Sequence, residues 1–262
     1  MFEPGVPLSY TPVEKFAAAT GIQPRIVLWY GGWGDPFWTE FAHEVAAHGA
    51  LPLVQVNPGQ ATMASVAAGK YDAYLRSYAD AVRKFGGPVV IGFAPEMNGT
   101  WYQWGRGHTP PSEWVAAWRH IVTLFRAQGA RNVIWLWTVN AVNAAEKADL
   151  RDWWPGASYV TWVGIDGYFY FASETFASVF GRTVAEIRSF TQDPVLISET
   201  ATGPVAGPSK IAELFAGVKA DHLVGFVWFD QAQHDGIYHQ DWRLEDNPTA
   251  LAAFRAAVKK YK

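Results

Sequence analysis

Short apolar runs alternate along the chain with longer segments in which apolar residues return every three or four positions. The runs are four to seven residues long and rich in β-branched and aromatic side chains, which is typical of strands buried on both faces of a parallel sheet. They span residues 25–30, 51–56, 88–93, 133–138, 159–165, 195–198 and 223–229. The segments between them predict helices, because an apolar stripe with this spacing lies along one helix face.

Strict alternation of strand and helix leaves two architectures, an open doubly wound sheet or an eight-stranded barrel with one strand still to be found. Residues 1–3 supply that strand, since the helical pattern of residues 12–20 then restores the alternation. No glycine-rich phosphate loop follows an early strand, which weakens the dinucleotide-binding alternative. We therefore predict a (β/α)8 TIM barrel, and the lack of a low-complexity linker predicts a single domain over residues 1–262.

The composition narrows the range of functions. The formal net charge is −3 without a cluster of lysines or arginines, so we expect neither nucleic acid nor a membrane as partner. The chain has no cysteine, which excludes thiolate catalysis, disulfides and cysteine-ligated metals. It does have 14 tryptophans, and exposed indole faces suit the flat faces of sugars, while a large aromatic core is the alternative for each of them.

Glu96 and Glu199 each follow a predicted strand, the fourth and the seventh when residues 1–3 count as the first. The active site of such a barrel forms at the carboxyl ends of its strands, so both side chains should lie over the same barrel mouth. Glycoside hydrolysis requires two carboxyl groups that flank one bond, one protonated and the other ionised. A buried unpaired carboxylate costs free energy, which favours a catalytic role for both.

Other strand ends supply candidates for sugar binding. Trp33, Asn57, Asp166, Tyr168 and Trp228 all stand at or just after predicted strands. Asn57 is followed by a Pro-Gly pair, so a plain turn is the stronger expectation for this residue. Tyr30, Thr138, Asn140 and Asp230 stand at strand ends as well, without an assigned role.

Three segments at the predicted ends of strands four, six and seven carry a family resemblance: PEMNGTWYQWG, GIDGY and LISET. In this order they resemble glycoside hydrolase family 26. The resemblance covers nearly the whole chain, and its specific part is E-M-N-G followed by W-x-x-W. It implies a (β/α)8 retaining hydrolase. The family is best known for endo-β-1,4-mannanases and also contains mixed-linkage glucanases and β-1,3-xylanases.

The resemblance implies a role for individual residues. Glu96 would be the general acid/base and Glu199 the nucleophile, with Tyr168 hydrogen-bonded to the nucleophile. Trp101 would line the cleft near the leaving group, and Trp228 would lie under the sugar that is attacked.

Trp104 and Asn98 belong to the same motif, and shaping the loop is the stronger expectation for both, although Trp104 stays among the substrate-binding candidates. Family mannanases usually have a His immediately before the acid/base and an Arg four residues before it. This chain has Pro95 and Gly92 at those positions. The His helps to bind the sugar and the Arg helps to order the carboxylates, so another β-glycan or a weakened activity becomes an alternative to mannan.

Residues 230–242 hold His234, Asp235, His239 and Asp241. Their spacing matches no zinc signature, so we expect a polar loop over the cleft and no metal site or cofactor. The N-terminal sequence MFEPGVPLS lacks a signal-peptide pattern. Related chains have a complete first strand before the EPG turn, and we therefore expect a secreted protein whose signal peptide has been removed.

The sequence as a whole predicts a monomeric, retaining endo-β-glycanase that hydrolyses a β-linked polysaccharide, β-1,4-mannan or a related glycan. Mixed-linkage β-1,3-1,4-glucan and β-1,3-xylan are the alternatives within the family. A carbohydrate-binding barrel with little turnover is the alternative of another class, and the presence of both glutamates speaks against it. A barrel enzyme for a small metabolite would need a phosphate or metal site that the sequence does not show.

Overall fold

The computed structural model describes residues 1–142, 149–232 and 240–261. Seven parallel strands form one sheet in the order β2-β3-β4-β5-β6-β7-β8, after a short segment β1 (Pro4–Pro7). The sheet strands are β2 (Ile26–Gly31), β3 (Leu51–Val56), β4 (Val89–Phe93), β5 (Val133–Asn140), β6 (Trp162–Asp166), β7 (Val195–Thr200) and β8 (Gly225–Trp228). All seven fall within or beside the apolar runs of the sequence.

The backbone of Met1 and Phe2 fills the gap between β8 and β2. The amide of Phe2 donates to the carbonyl of Trp228 at 2.9 Å, and the amide of Leu28 donates to the carbonyl of Met1 at 2.9 Å. Phe2 also pairs in parallel with Phe229. These bonds connect both edges of the sheet and confirm the predicted (β/α)8 barrel, with Met1 and Phe2 in the place of its first strand.

Eight α-helices lie in the part of the chain that the structure describes. They are α1 (Thr11–Thr20), α2 (Thr39–Ala47), α3 (Met63–Ala67), α4 (Asp72–Phe85), α5 (Pro111–Ala127), α6 (Arg182–Arg188), α7 (Ser209–Ala220) and α8 (Pro248–Tyr261). Two 3-10 turns, Leu150–Trp153 and Ala157–Tyr159, stand between β5 and β6. None of these helices is both long and apolar enough to cross a membrane.

Two apolar cores hold the barrel together. The inner one is a layer of buried side chains contributed by most of the strands: Phe2, Leu28, Leu53, Val90, Leu136, Leu196 and Val227. Neighbouring residues such as Trp29, Val54 and Ile91 belong instead to the larger core between the sheet and the helices. This division follows from strand geometry, because successive side chains point to opposite faces of a sheet.

Candidate active site

Glu96 and Glu199 lie at the carboxyl ends of barrel strands, Glu96 just after β4 and Glu199 near the end of β7. Burial, followed by the nearby charge of Glu96, raises the pKa of Glu199 to about 7. Burial also raises the pKa of Glu96. The two carboxyl groups therefore interact, and such a pair favours the state with one protonated and one ionised member.

Glu199 accepts hydrogen bonds from two tyrosines. The hydroxyl of Tyr168 donates to Oε2 at 2.7 Å, and the hydroxyl of Tyr30 donates to Oε1. Both bonds lower the pKa of Glu199 against the effect of burial, because hydrogen bonds to a carboxylate favour its charged form. Each oxygen of Glu199 thus has a donor of its own.

Glu96 has two different donors. Nδ2 of Asn140, the last residue of β5, lies 2.6 Å from Oε1 of Glu96. Nε1 of Trp101 lies 3.0 Å from Oε2. Both bonds lower the pKa of Glu96, which burial raises. They also fix the carboxyl group in one orientation over the barrel mouth.

The backbone that carries Glu96 is strained and tightly held. Ala94 and Glu96 have φ values of 47° and 56°, which L-residues other than asparagine and aspartate seldom adopt. The indole of Trp114 donates to the carbonyl of Ala94 at 3.2 Å, and the indole of Trp104 donates to the carbonyl of Pro95 at 2.8 Å. Two buried tryptophans therefore hold the turn that aims Glu96.

The E-M-N-G segment links the ends of β4 and β5. Nδ2 of Asn98 donates to the carbonyl of Asn140 at 2.8 Å, and the amide of Asn140 donates back to Oδ1 of Asn98 at 2.9 Å. A Cβ on Gly99 would overlap the indole ring of Trp101, so only glycine lets the ring lie this close. The motif thus positions both donors of Glu96.

Trp101, Trp33 and Asn57 lie at or near the surface. Trp101 is 50% exposed although its nitrogen is bonded to Glu96. Trp33 is half-buried and makes a T-shaped contact with Tyr71, with ring centroids 5.2 Å apart. Oδ1 of Asn57 accepts from the amide two residues ahead at 2.9 Å, which is the turn role that the Pro-Gly pair predicts.

Trp228 does not lie under the cleft, and that prediction is wrong. Its side chain is 2% exposed, and its ring packs against Phe254 of α8 with centroids 5.4 Å apart. The physical reason is strand alternation, because Val227 occupies the inner layer and the next residue must point outward. Phe229 is half-buried and contacts the rings of Phe2 and Tyr168, and Tyr168 in turn donates to Glu199.

Asp166 and Trp104 are also corrected as residues that touch substrate. Asp166 is fully buried, and its Oδ1 accepts from the hydroxyl of Ser198 at 2.6 Å. Burial, followed by the charges of Glu199 and Glu96, raises the pKa of Asp166 well above its usual value. Trp104 is 4% exposed, and its indole serves the backbone instead of a ligand.

Packing inside the barrel explains why position 92 is a glycine. A Cβ at this position would overlap Oε1 of Gln55 and would lie 3.2 Å from the carbonyl of Leu136. Gln55 is fully buried, and its Nε2 donates to Oγ1 of Thr138 at 2.8 Å. Gln55 therefore occupies the space inside the barrel that a side chain at position 92 would need.

The structure brings Tyr30 and Asn140 into direct contact with the two glutamates, a role that the sequence did not assign. Their strand-end positions were the available signal, but hydrogen-bond partners depend on the register between strands. No group of three or more potential metal ligands is found in residues 1–142, 149–232 and 240–261. His234, Asp235 and His239 lie outside the described residues.

The comparison with known families agrees with this geometry. The sequence profile of glycosyl hydrolase family 26 matches residues 61–257, which is most of the chain. The chain belongs to glycosyl hydrolase family 26.

Curated proteins with similar sequences cover the chain to different extents. Endoglucanase H of Acetivibrio thermocellus is 28% identical over 97% of this chain, which spans 29% of that protein. The β-1,3-xylanase TXYA of a Vibrio species is 26% identical over 68% of this chain, which spans 38% of that protein. The chain thus spans less than two fifths of the length of either relative.

Solved structures share the fold. The catalytic domain of the endo-β-1,4-mannanase of Bacillus sp. JAMB-750 superposes with a TM-score of 0.75 over 94% of this chain and 79% of that domain. Its sequence is 16% identical. This likeness shows that family 26 barrels and the present chain have the same architecture.

Proposed function

We propose that this protein is a retaining endo-β-glycanase in which Glu199 is the nucleophile and Glu96 the general acid/base. The observation that carries the proposal is the pair of interacting carboxyl groups at one barrel mouth, each with its own set of donors. Glu199 receives two tyrosine hydroxyls, which suit an ionised group. Glu96 lies beside the exposed Trp101, which suits an acid that meets the leaving group. Burial raises the pKa of both glutamates, so the assignment of the two roles rests on their hydrogen-bond donors.

The reaction has two steps. In the first, an oxygen of Glu199 bonds to the anomeric carbon, the bond to the departing oxygen breaks, and Glu96 gives its proton to that oxygen. In the second, Glu96 takes a proton from water, the water oxygen bonds to the anomeric carbon, and the electron pair of the ester bond returns to Glu199. The sugar leaves with retained configuration.

Trp101 is the residue proposed to stack on the sugar at the leaving-group side. Half of its side chain is exposed, and an exposed indole offers the flat apolar surface on which sugar rings stack. Trp33 is proposed to line the cleft beyond β2. Phe229 takes the place first assigned to Trp228, beside Tyr168.

The substrate is proposed to be a β-linked polysaccharide. β-1,4-Mannan is the first candidate, because mannan endo-1,4-β-mannosidases are among the similar proteins. Mixed-linkage β-glucan is the second, and two observations favour it. Endoglucanase H is similar over 97% of this chain, and Gly92 and Pro95 replace the Arg and His that family mannanases usually have.

The test is an assay against a panel of mannan, mixed-linkage β-glucan, β-1,3-xylan and β-1,4-xylan, with products resolved by size and anomeric configuration. Oligosaccharides of mixed length with retained configuration support the proposal, and the glycan cleaved identifies the substrate. Binding of an oligosaccharide without cleavage of any glycan supports a carbohydrate-binding barrel instead. Products of inverted configuration contradict the assignment of Glu199 as nucleophile.

We further propose that residues 1–262 form one domain that acts as a secreted monomer. A polysaccharide does not cross a membrane, which supports secretion of an enzyme that cleaves it. The sequence has a formal net charge of −3 and no cluster of basic residues, which speaks against nucleic acid as a partner. Light scattering after size exclusion and fractionation of the native culture test both statements.

A further inference from the structure

The nucleophile has two tyrosine donors that come from different parts of the barrel. Tyr168 follows β6, whereas Tyr30 lies in β2. We propose that Tyr30 is a second positioning residue of the nucleophile, which holds Oε1 of Glu199 and stabilises the charge that returns to it when the glycosyl-enzyme is hydrolysed. This inference rests on the proposed function of Glu199.

Ring contacts tie the two donors together around the closure of the barrel. The ring of Tyr30 makes a T-shaped contact with Phe2, with centroids 4.9 Å apart. Phe2 stacks on Phe229 at 4.9 Å, and Phe229 makes a T-shaped contact with Tyr168 at 5.9 Å. A continuous row of four aromatic rings therefore fixes the positions of both hydroxyl groups on either side of Glu199.

Tyr30 remains a neutral donor over the range in which the enzyme works. Burial, followed by the charges of Glu199 and Asp166, raises the pKa of Tyr30 well above its usual value. Burial and the charge of Glu199 act on Tyr168 in the same way. The hydroxyl of Tyr30 therefore stays protonated and can donate a hydrogen bond to Oε1 of Glu199.

Four titratable groups surround Glu199, and they come from the ends of three strands, β2, β4 and β6. Glu96 after β4 and Asp166 of β6 carry or share negative charge, and Tyr30 and Tyr168 are neutral donors. Among the described residues, the hydrogen bonds of the two tyrosines favour the ionised nucleophile, whereas the charge of Glu96 opposes it. Removal of Tyr30 therefore leaves Oε1 of a charged Glu199 without the hydroxyl that donates to it.

The two steps of the reaction respond differently to this loss. In the first step the ionised Glu199 loses its negative charge as it bonds to the anomeric carbon. Loss of the Tyr30 hydrogen bond therefore makes the carboxylate more reactive, but it also lowers the fraction of Glu199 that is ionised. In the second step the electron pair returns to Glu199, and the lost donor no longer stabilises it. We expect Tyr30→Phe to slow the second step by about tenfold or more, the usual effect of losing a hydrogen bond to a charged group.

The experiment compares Tyr30→Phe with Tyr78→Phe. Tyr78 of α4 is buried between Phe37 and Phe125, so this control removes the same hydroxyl from a buried ring outside the site. Pre-steady-state kinetics on a dinitrophenyl glycoside of the cleaved sugar measure the burst, and mass spectrometry measures the glycosyl-enzyme. The pH profile of kcat/KM measures ionisation of Glu199.

Tyr30→Phe should show a burst and an accumulated glycosyl-enzyme, together with an acid limb of kcat/KM that moves to higher pH. Tyr78→Phe should change none of these. A Tyr30→Phe protein that folds, shows no burst and keeps the wild-type acid limb overturns the inference. If Tyr30→Phe does not fold, 3-fluorotyrosine at position 30, a stronger donor, should speed the second step, and an unchanged rate overturns the inference.

Failure of the proposed function gives a different result. A wild-type protein that cleaves no glycan in the panel and no dinitrophenyl glycoside removes the role of Glu199 itself. If the wild type is active and Tyr30→Phe has the same burst and acid limb of kcat/KM as the wild type, Glu199 remains the nucleophile and only the role of Tyr30 is refuted.

Discussion

The indole nitrogen of Trp101 lies 3.0 Å from Oε2 of Glu96 while half of the Trp101 side chain remains exposed. One residue therefore has an exposed indole face, the proposed sugar platform, and also donates to the proposed acid. These two contributions are separable, because phenylalanine keeps an aromatic face and loses the N–H group.

Trp101→Phe should move the alkaline limb of kcat/KM to higher pH. The bond from Trp101 lowers the pKa of Glu96, so its loss raises that pKa and keeps the acid protonated at higher pH. Trp101→Ala should move the limb in the same direction and also raise KM, because the stacking face is gone. A pH series on both variants checks the prediction, and an alkaline limb that stays at its wild-type position in Trp101→Phe contradicts it.

Trp104→Phe should lower kcat without raising KM. Its indole holds the carbonyl of Pro95 next to the strained Glu96, so the loss disturbs the acid and not the sugar platform. Trp118→Phe is the matched control. Trp118 lies on α5, and its buried indole donates to the carbonyl of Tyr159 at 3.0 Å. Both variants should lose about 1–3 kcal/mol of stability from an unpaired buried carbonyl.

Only Trp104→Phe should lose activity beyond that shared destabilisation. Urea unfolding and steady-state kinetics on the same preparations separate the two effects. Equal kcat in both variants would mean that the hold on Pro95 does not reach Glu96.

Glu199→Gln should make the protein more stable at pH 8 than the wild type. Burial and Glu96 raise the pKa of Glu199 from 4.5 to about 7. The folded state therefore binds more protons than the unfolded state between these values, and wild-type stability falls as pH rises through that window. Above that pH window the difference in unfolding free energy should be on the order of 3 kcal/mol, since each pKa unit corresponds to about 1.4 kcal/mol.

At pH 4 the gain should disappear, because Glu199 is protonated in both states. Urea unfolding at pH 4 and pH 8 measures both values, with Glu40→Gln on the exposed side of α2 as control for the loss of a carboxylate. A variant that is no more stable at pH 8 than at pH 4, relative to wild type, shows that Glu199 has no raised pKa.

Gly92→Ala should destabilise the barrel, and Gln55→Ala should relieve that effect. The added Cβ would overlap Oε1 of Gln55, and overpacking of this kind costs about 1–3 kcal/mol. A double-mutant cycle of unfolding free energies measures the coupling. Additive effects of the two substitutions would place the cause elsewhere, for example at the carbonyl of Leu136, 3.2 Å away.

Much of the barrel could be predicted because both faces of its strands are apolar and most strands precede a helix. Between β5 and β6 the described residues form two 3-10 turns in place of the predicted helix. The direction of an individual side chain was harder to predict where a shift of one residue along the strand moves it to the opposite face of the sheet. Trp228 points to α8 because Val227 takes the inner layer, and a fully apolar run carries no signal for that phase. Asp166 stands at the predicted strand end, yet it is fully buried and accepts a hydrogen bond from Ser198.

The contacts of Tyr30 and Asn140 could not be predicted for a related reason. They join residues that are 169 and 44 positions apart from their partners, so they exist only once the barrel closes. Trp104 and Trp114 show that the number of tryptophans does not reveal the role of each one. Their indoles hold the carbonyls of Pro95 and Ala94, so part of the tryptophan excess serves the backbone instead of sugar.

The most direct test of the account separates the two glutamates with a dinitrophenyl glycoside, whose leaving group needs no protonation. Glu199→Ala should cleave neither polysaccharide nor this glycoside, because no glycosyl-enzyme forms without the nucleophile. Glu96→Ala should still form the glycosyl-enzyme, which then accumulates because water has lost its base. Added azide should restore turnover and give a glycosyl azide of retained configuration. A Glu96→Ala variant with full activity on the natural polysaccharide would contradict the assignment of Glu96 as the acid.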